Sequence, residues 1–154
     1  GFRINYFDFA FNFFTSFGYF KTRREHDNAI RMMADSIKPG GVLVIDYLNV
    51  HFVESQLEPI VTTEVEDVKF HISKWQTEEH FFKQIQITDQ EHIAPRHLYT
   101  ERVAKFSLGD FNDMLSYQHM QIIEVFGNYQ LGQYDVQRSP RMIIVAQKLH
   151  EKYL

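Results

Sequence analysis

No cysteine occurs among the 154 residues of the chain. This excludes a disulfide framework, a thiolate zinc site and a cysteine nucleophile; it also fits a reducing compartment, so the expected location is cytoplasmic. Glycine is sparse, at seven residues, and no G-x-G occurs. No glycine-rich loop that brings backbone close to a bound nucleotide is therefore encoded. The net charge is −4 and no basic run stands out, so the electrostatic footprint of a nucleic-acid binder is missing. Long hydrophobic runs are lacking as well: Asn12, Thr15 and Ser16 interrupt the longest before it reaches the roughly 18–20 residues of a membrane span. Arg3, Asp8 and Asn12 also break the apolar start, and no small-residue cleavage pattern follows, so it does not read as a signal peptide.

What is present is a globular balance, 44% hydrophobic against 23% charged. A chain of this length makes about one domain and buries roughly 68–70% of its unfolded surface. No internal repeat, low-complexity segment or dividing linker interrupts it, and 1–154 is expected as a single partial domain. The most unusual stretch is FDFAFNFFTSFGYF, Phe7 to Phe20, which turns abruptly at Thr15, Ser16 and Gly18 amid large rings.

From Tyr6 to Phe14 the residues favour strand without clean alternation, which predicts an interior strand covered on both faces. Asp27 can cap a helix carrying Ile30, Met33, Ala34 and Ile37 at helical spacing, with Lys38 to Gly41 (KPGG) as its stop. Val42 to Asp46 is a second buried strand, which makes a βαβ unit with parallel strands and a right-handed crossover. Phe52 to Leu57 reads as a helical turn. The period then changes to two: Val68, Phe70 and Ile72, then Lys83, Ile85 and Ile87, then HLYTERVAKF form antiparallel strands with one wet face. Ser107 and Asp110 outline a capping box ahead of Phe111, Met114 and Leu115. Strands near Gln121 to Gly127 and Arg141 to Lys148 close the chain, joined by a polar, aromatic connection.

These pieces resemble the C-terminal part of a class I S-adenosylmethionine-dependent methyltransferase. YFDFAFNFFTSFGYF is similar to the fourth strand and its loop, SIKPGGVLVIDYLN to the helix end and fifth strand, and YQLGQYDVQRSPRMIIVAQK to the final hairpin. The resemblance implies an α/β fold: the C-terminal half of a Rossmann-like sheet, strands four, five, seven and six, with inserted antiparallel strands at 60–106 as a lid or substrate-binding segment. It implies S-adenosylmethionine as the cofactor of the complete domain. The family's glycine loop and ribose-binding acid, which belong to the first half of the fold, have no counterpart here, so the chain is expected to be either a fragment of a longer protein or a chain whose first half was lost. The strand at Phe7 to Phe13 then becomes an edge that is expected to drive self-association.

The resemblance places Asn12, Phe14 and Thr15 at the cofactor, with Phe13, Phe14 and Phe17 equally readable as core. Asp46, Tyr47 and Asn49 follow the fifth strand and face the same crevice or cap the turn. Substrate-contact candidates are Tyr19 and Asn49, the wet-face residues His71, Lys74, Trp75, Tyr99 and Arg102, and Tyr129, Tyr134, Arg138 and Arg141 near the final hairpin. The arginines suit a carboxylate or phosphate, or Arg141 anchors its loop to the sheet. No catalytic residue is selected; if a base is needed, His71 or Tyr99 could serve.

Metal chemistry is not expected, because Pro95 separates His92 from His97 and prevents the shared helix face of a zinc pair. A serine hydrolase is not expected either, because FTSFG lacks the first glycine of its elbow. The expected function is methyl transfer to a small-molecule acceptor, with no nucleic-acid or membrane partner. The alternative is a non-catalytic interaction module with a half sheet and no cofactor.

Overall fold

An apolar strand, a helix with a 3–4 period and a second apolar strand build the first part of the chain. The computed structural model describes residues 3–89 and 97–150. Its elements are β1 (Phe7–Asn12), a 3-10 turn (Ser16–Tyr19), α1 (Arg23–Ser36), β2 (Ile37–Leu48), α2 (Val50–Gln56), β3 (Ile60–Val65), β4 (Val68–Gln76), β5 (His80–Asp89), β6 (His97–Ala104), α3 (Leu108–Tyr117), β7 (Met120–Phe126) and β8 (Arg141–Lys148). They gather into two compact units: residues up to Glu54 together with those from Phe106 onward, and Ser55–Lys105. No helix of the described residues is long and apolar enough to cross a membrane. His92 and Pro95 lie outside the described residues.

The first unit holds a four-stranded sheet in the order β1-β2-β8-β7. β1 and β2 are parallel, while β8 runs antiparallel to both neighbours. This is the expected order four, five, seven, six. The helix α1 starts one turn before the predicted cap. Thr22 Oγ1 accepts from the Glu25 amide at 3.2 Å and Glu25 Oε2 accepts from the Thr22 amide at 2.8 Å, a reciprocal box that satisfies two otherwise unpaired donors. Asp27 instead lies inside the helix, where it pairs with Arg23 at 3.3 Å. The expected box at α3 is present, with Ser107 and Asp110 bonded in both directions. KPGG is not a turn beyond the helix but part of β2: the pairing with β1 jumps from Ile37 to Val42, and Gly40 takes φ 83, open to glycine without strain.

The core lies on one face of this sheet. Leu43, Ile45, Tyr47, Ile144 and Ala146 are fully buried there. Tyr47 meets Phe111 of α3 at 5.0 Å, while Phe17 contacts Tyr47, Phe106 and Phe111 at 6.4, 5.7 and 5.4 Å. Each such aromatic pair adds about 0.5–1.5 kcal/mol beyond burial. Tyr47 therefore faces the core and not the crevice, because successive residues of β2 point to opposite faces. Burial pushes its phenol well above the ordinary value.

β1 is the expected edge of this sheet but is not covered on both faces: Phe9, Phe11 and Phe13 are 60%, 56% and 49% exposed on the face opposite the core. Their rings form a row, with centroids 6.3 and 5.4 Å apart. The composition of a doubly covered strand is present, while the covering element is not among the described residues.

The second unit is an antiparallel sheet in the order β3-β4-β5-β6. Its register separates the residues read as one wet face. His71 opposes Gln86, and Trp75 opposes Phe82, which opposes Arg102. Lys74 and Tyr99 belong to the other face, with Ile72 and Ile85, because neighbouring positions alternate. Trp75 stacks on Phe82 at 5.2 Å.

His26 supplies a test of the core. Its Nδ1–H donates to Thr22 O at 2.8 Å, whereas Nε2 is buried against Phe17 and Phe106 with no hydrogen-bond partner among the described residues. Desolvation holds its pKa below the ordinary 6.5, so the unfolded chain binds the proton more readily. The stability this contributes is complete above that value and is lost as pH falls through the folded pKa. Urea midpoints at about pH 7.5 and about pH 5.5 should show a larger acid loss for the wild type than for His26→Phe; equal losses would count against the buried, neutral imidazole.

Candidate functional site

The carboxyl end of β2 delivers a carboxylate to the face opposite Tyr47. Asp46 is only 1% exposed and its carboxylate accepts four hydrogen bonds from side chains and backbone. Arg141, at the start of β8, donates through Nε and Nη2 to Oδ1 at 2.9 and 2.8 Å. The Phe14 amide and the Tyr129 hydroxyl both donate to Oδ2 at 2.9 Å. Arg141 Nη2 also donates to Thr15 Oγ1 at 2.8 Å, and the Thr15 amide donates to the Asp46 carbonyl at 2.9 Å. One buried acid thus gathers the loop after β1, the loop after β7 and the start of β8.

The loop after β1 is strained. Phe14 and Thr15 have φ 56 and 60, the left-handed region, at a cost of roughly 1–2 kcal/mol each for residues with a β-carbon. Phe14 is nonetheless 75% exposed, so packing does not repay its conformation. Its ring stands edge-on to Tyr129 with centroids 6.4 Å apart and continues the row from Phe13 at 6.0 Å. Tyr129 titrates above its ordinary value, first through desolvation and then through the hydrogen bond to Asp46. The loop that carries it depends on Gly127, where a β-carbon would collide with the Ser139 side chain.

On the other side of β2 lies a cavity of about 440 Å³ bordered by Asn49, His51, Glu54, Phe106, Tyr134 and Met142. That volume is in the range of small-molecule sites. Asn49 is buried and its amide donates to the carbonyls of Val136 and Ser139, both at 2.8 Å, so it anchors the loop before β8. Burial, followed by the charge of Asp135, raises the Tyr134 phenol. Sequence reasoning missed His51 and Glu54; their spacing of three on a short helix directly after a parallel strand was the available signal.

Of the residues singled out by sequence, Phe14, Thr15, Tyr129 and Arg141 come together around Asp46. Asn12 stands beside them, half-buried, with Oδ1 accepting from the Ser16 hydroxyl at 3.2 Å. Tyr19 is half exposed at the end of the 3-10 turn. Arg138 belongs to an exposed turn whose amides bond to Asp135. His71 and Trp75 share one face of the second unit's sheet and Tyr99 occupies the other. Phe17 is core, whereas Phe13 and Phe14 are not. Among the described residues no group of three or more His, Asp or Glu side chains gathers as a metal site.

No family model and no curated protein matches the chain. Solved structures do. A S-adenosylmethionine-dependent methyltransferase from Clostridium acetobutylicum superposes with TM-score 0.79 at 11% identity, over 95% of this chain and 60% of that one. The chain has a methyltransferase fold. The CcbJ methyltransferase from Streptomyces caelestis gives TM-score 0.79 at 15% identity, over 95% and 59%. An amino pentose methyltransferase from Micromonospora echinaspora, solved with S-adenosylmethionine bound, gives 0.64 at 17%, over 93% and 58%. The chain therefore spans about three-fifths of the length of these methyltransferases, and the shared part is the carboxyl-terminal part of the fold.

Within that fold Arg141 pairs with Asp46 and also bonds Thr15, the anchoring arrangement. Removing one member of a buried pair leaves the other charge uncompensated, which costs about 3–5 kcal/mol. Arg141→Ala should lower stability by about that amount in urea unfolding of the chain; a loss under about 1 kcal/mol, the scale of an exposed pair, would contradict the burial of this one.

Proposed function

We propose that the protein of which this chain forms the carboxyl-terminal part transfers a methyl group from S-adenosylmethionine to a small-molecule acceptor. The observation that carries the reading is the strained Phe14–Thr15 turn, held at the carboxyl end of a parallel strand pair in a methyltransferase fold. Ligands of open α/β sheets bind beyond the carboxyl ends of the strands. The matched structures include methyltransferases described as acting on an amino pentose and as a sugar N-methyltransferase, which supports an acceptor of low molecular weight.

The residues present fit one side of the cofactor. S-adenosylmethionine, when bound, supplies an electrophilic methyl on a cationic sulfur. The exposed Phe14 and Tyr129 rings form a corner whose π-faces favour a positive charge. Asn12 borders the same loop, while Thr15, whose hydroxyl is taken by Arg141, shapes it. For the acceptor, the cavity beside α2 offers His51, Glu54 and Tyr134 against the apolar Phe106 and Met142. Placement of the acceptor in line with the methyl group is the main contribution asked of these walls. Tyr19, His71, Trp75, Tyr99 and Arg138 remain proposed acceptor contacts, and the strands of the second unit a proposed lid.

A second reading rests on the exposed phenylalanine row: the chain acts as an interaction module that associates with itself through the β1 edge. Calorimetric titration of the 154-residue chain with S-adenosylmethionine, with light scattering alongside, separates the two. Binding in about the micromolar range supports the methyltransferase reading. No binding, with a dimer or larger assembly in scattering, overturns it for this chain in favour of the second.

A further inference from the structure

The strained turn raises a question that burial does not answer. Phe14 has the energetically costly backbone of a left-handed residue and yet exposes three-quarters of its side chain. A β-branched residue follows in the same conformation, an arrangement that persists only where the surroundings over-determine it. The surroundings here are nearly all one residue. The Phe14 amide ends on the Asp46 carboxylate, the Thr15 amide ends on the Asp46 carbonyl, and the Thr15 hydroxyl is held by the arginine that Asp46 binds. The Tyr129 ring, Phe14's edge-on neighbour, is tethered to the same carboxylate.

We propose that Asp46 is a positioning residue: braced by Arg141 and Tyr129, its carboxylate fixes the Phe14–Thr15 turn in the left-handed conformation and so sets where the Phe14 ring stands at the carboxyl end of β1. The two oxygens divide the work. Oδ1 takes both arginine donors, which orients the carboxylate, and Oδ2 takes the turn amide and the tyrosine, which orients the rings. Asparagine at this position keeps one acceptor oxygen and turns an amide group toward donors. It therefore cannot serve both sets. Lysine at position 141 keeps the charge opposite Asp46 but cannot reach it in a planar fork while also holding Thr15. The proposal rests on the methyltransferase reading only for the identity of the ligand that Phe14 meets.

The test is amide hydrogen exchange by NMR on the wild-type chain, Asp46→Asn and Arg141→Lys, with the amides of Val44 in β2 and Ile144 in β8 as internal references. In Asp46→Asn the Phe14 amide should exchange at least about tenfold faster over and above the acceleration that the reference amides show from the broken buried pair, as expected for loss of a hydrogen bond to a charged acceptor. In Arg141→Lys the Phe14 and Thr15 amides should accelerate by a smaller factor. If Asp46→Asn does not fold, the lysine variant decides. Unchanged exchange at Phe14 in a folded variant would overturn the proposal, and so would equal acceleration of turn and reference amides, the mark of a merely structural role. A chain that shows the expected pattern and yet binds no S-adenosylmethionine would lose the proposed function and keep the role of Asp46.

Discussion

Burying a carboxylate to 1% exposure is costly unless it is paired and hydrogen-bonded, and the arrangement around Asp46 follows from that constraint. Desolvation of the acid is offset by a guanidinium fork from 95 residues away and by two further donors. Since these donors sit on three different segments, satisfying one charge ties together the loop after β1, the loop after β7 and the start of β8. The anchor of the loop before β8 is independent: Asn49 holds the carbonyls of Val136 and Ser139. Together the two devices shape the carboxyl end of the sheet from opposite sides of β2.

The alternation of β2 divides the work between its faces. Tyr47 faces into the aromatic core with Phe17, Phe106 and Phe111, whereas Asp46 points to the face that carries the phenylalanine row. The rings of the opening stretch therefore serve two ends. Phe17 closes the core, and Phe9, Phe11, Phe13 and Phe14 lead along the bare face to Tyr129. A parallel strand pair is ordinarily covered on both sides, and the matched methyltransferases extend well beyond the part of the fold present here.

Local physics was legible in the sequence. The βαβ unit, the Ser107–Asp110 box and the two closing strands are short-range patterns, and the strand order follows once those patterns are matched to the fold. What was not legible depends on residues far apart. Nothing near Asp46 announces Arg141 or Tyr129, and only the pairing of β2 with β8 brings the ends together. The edge position of β1 follows from the resemblance, whereas the bare face of its phenylalanine row does not, because such a row looks the same whether or not an element covers it. Thr22 was passed over for Asp27 because two cap-competent residues lie within five positions, and the reciprocal bond with Glu25 decides between them. Lys74 and Trp75 were grouped together although adjacent strand residues face apart.

The carboxyl end of the sheet is organised as described only if Asp46 and Arg141 act as one unit. A double-mutant cycle on unfolding stability, with Asp46→Asn, Arg141→Gln and the double variant, measures that directly. A coupling of about 1–3 kcal/mol is expected, because each single variant strands a partner that the double variant releases. Additive losses, within about 0.5 kcal/mol, would mean that the two side chains stabilise the carboxyl end separately, and would contradict the view that one buried ion pair organises it.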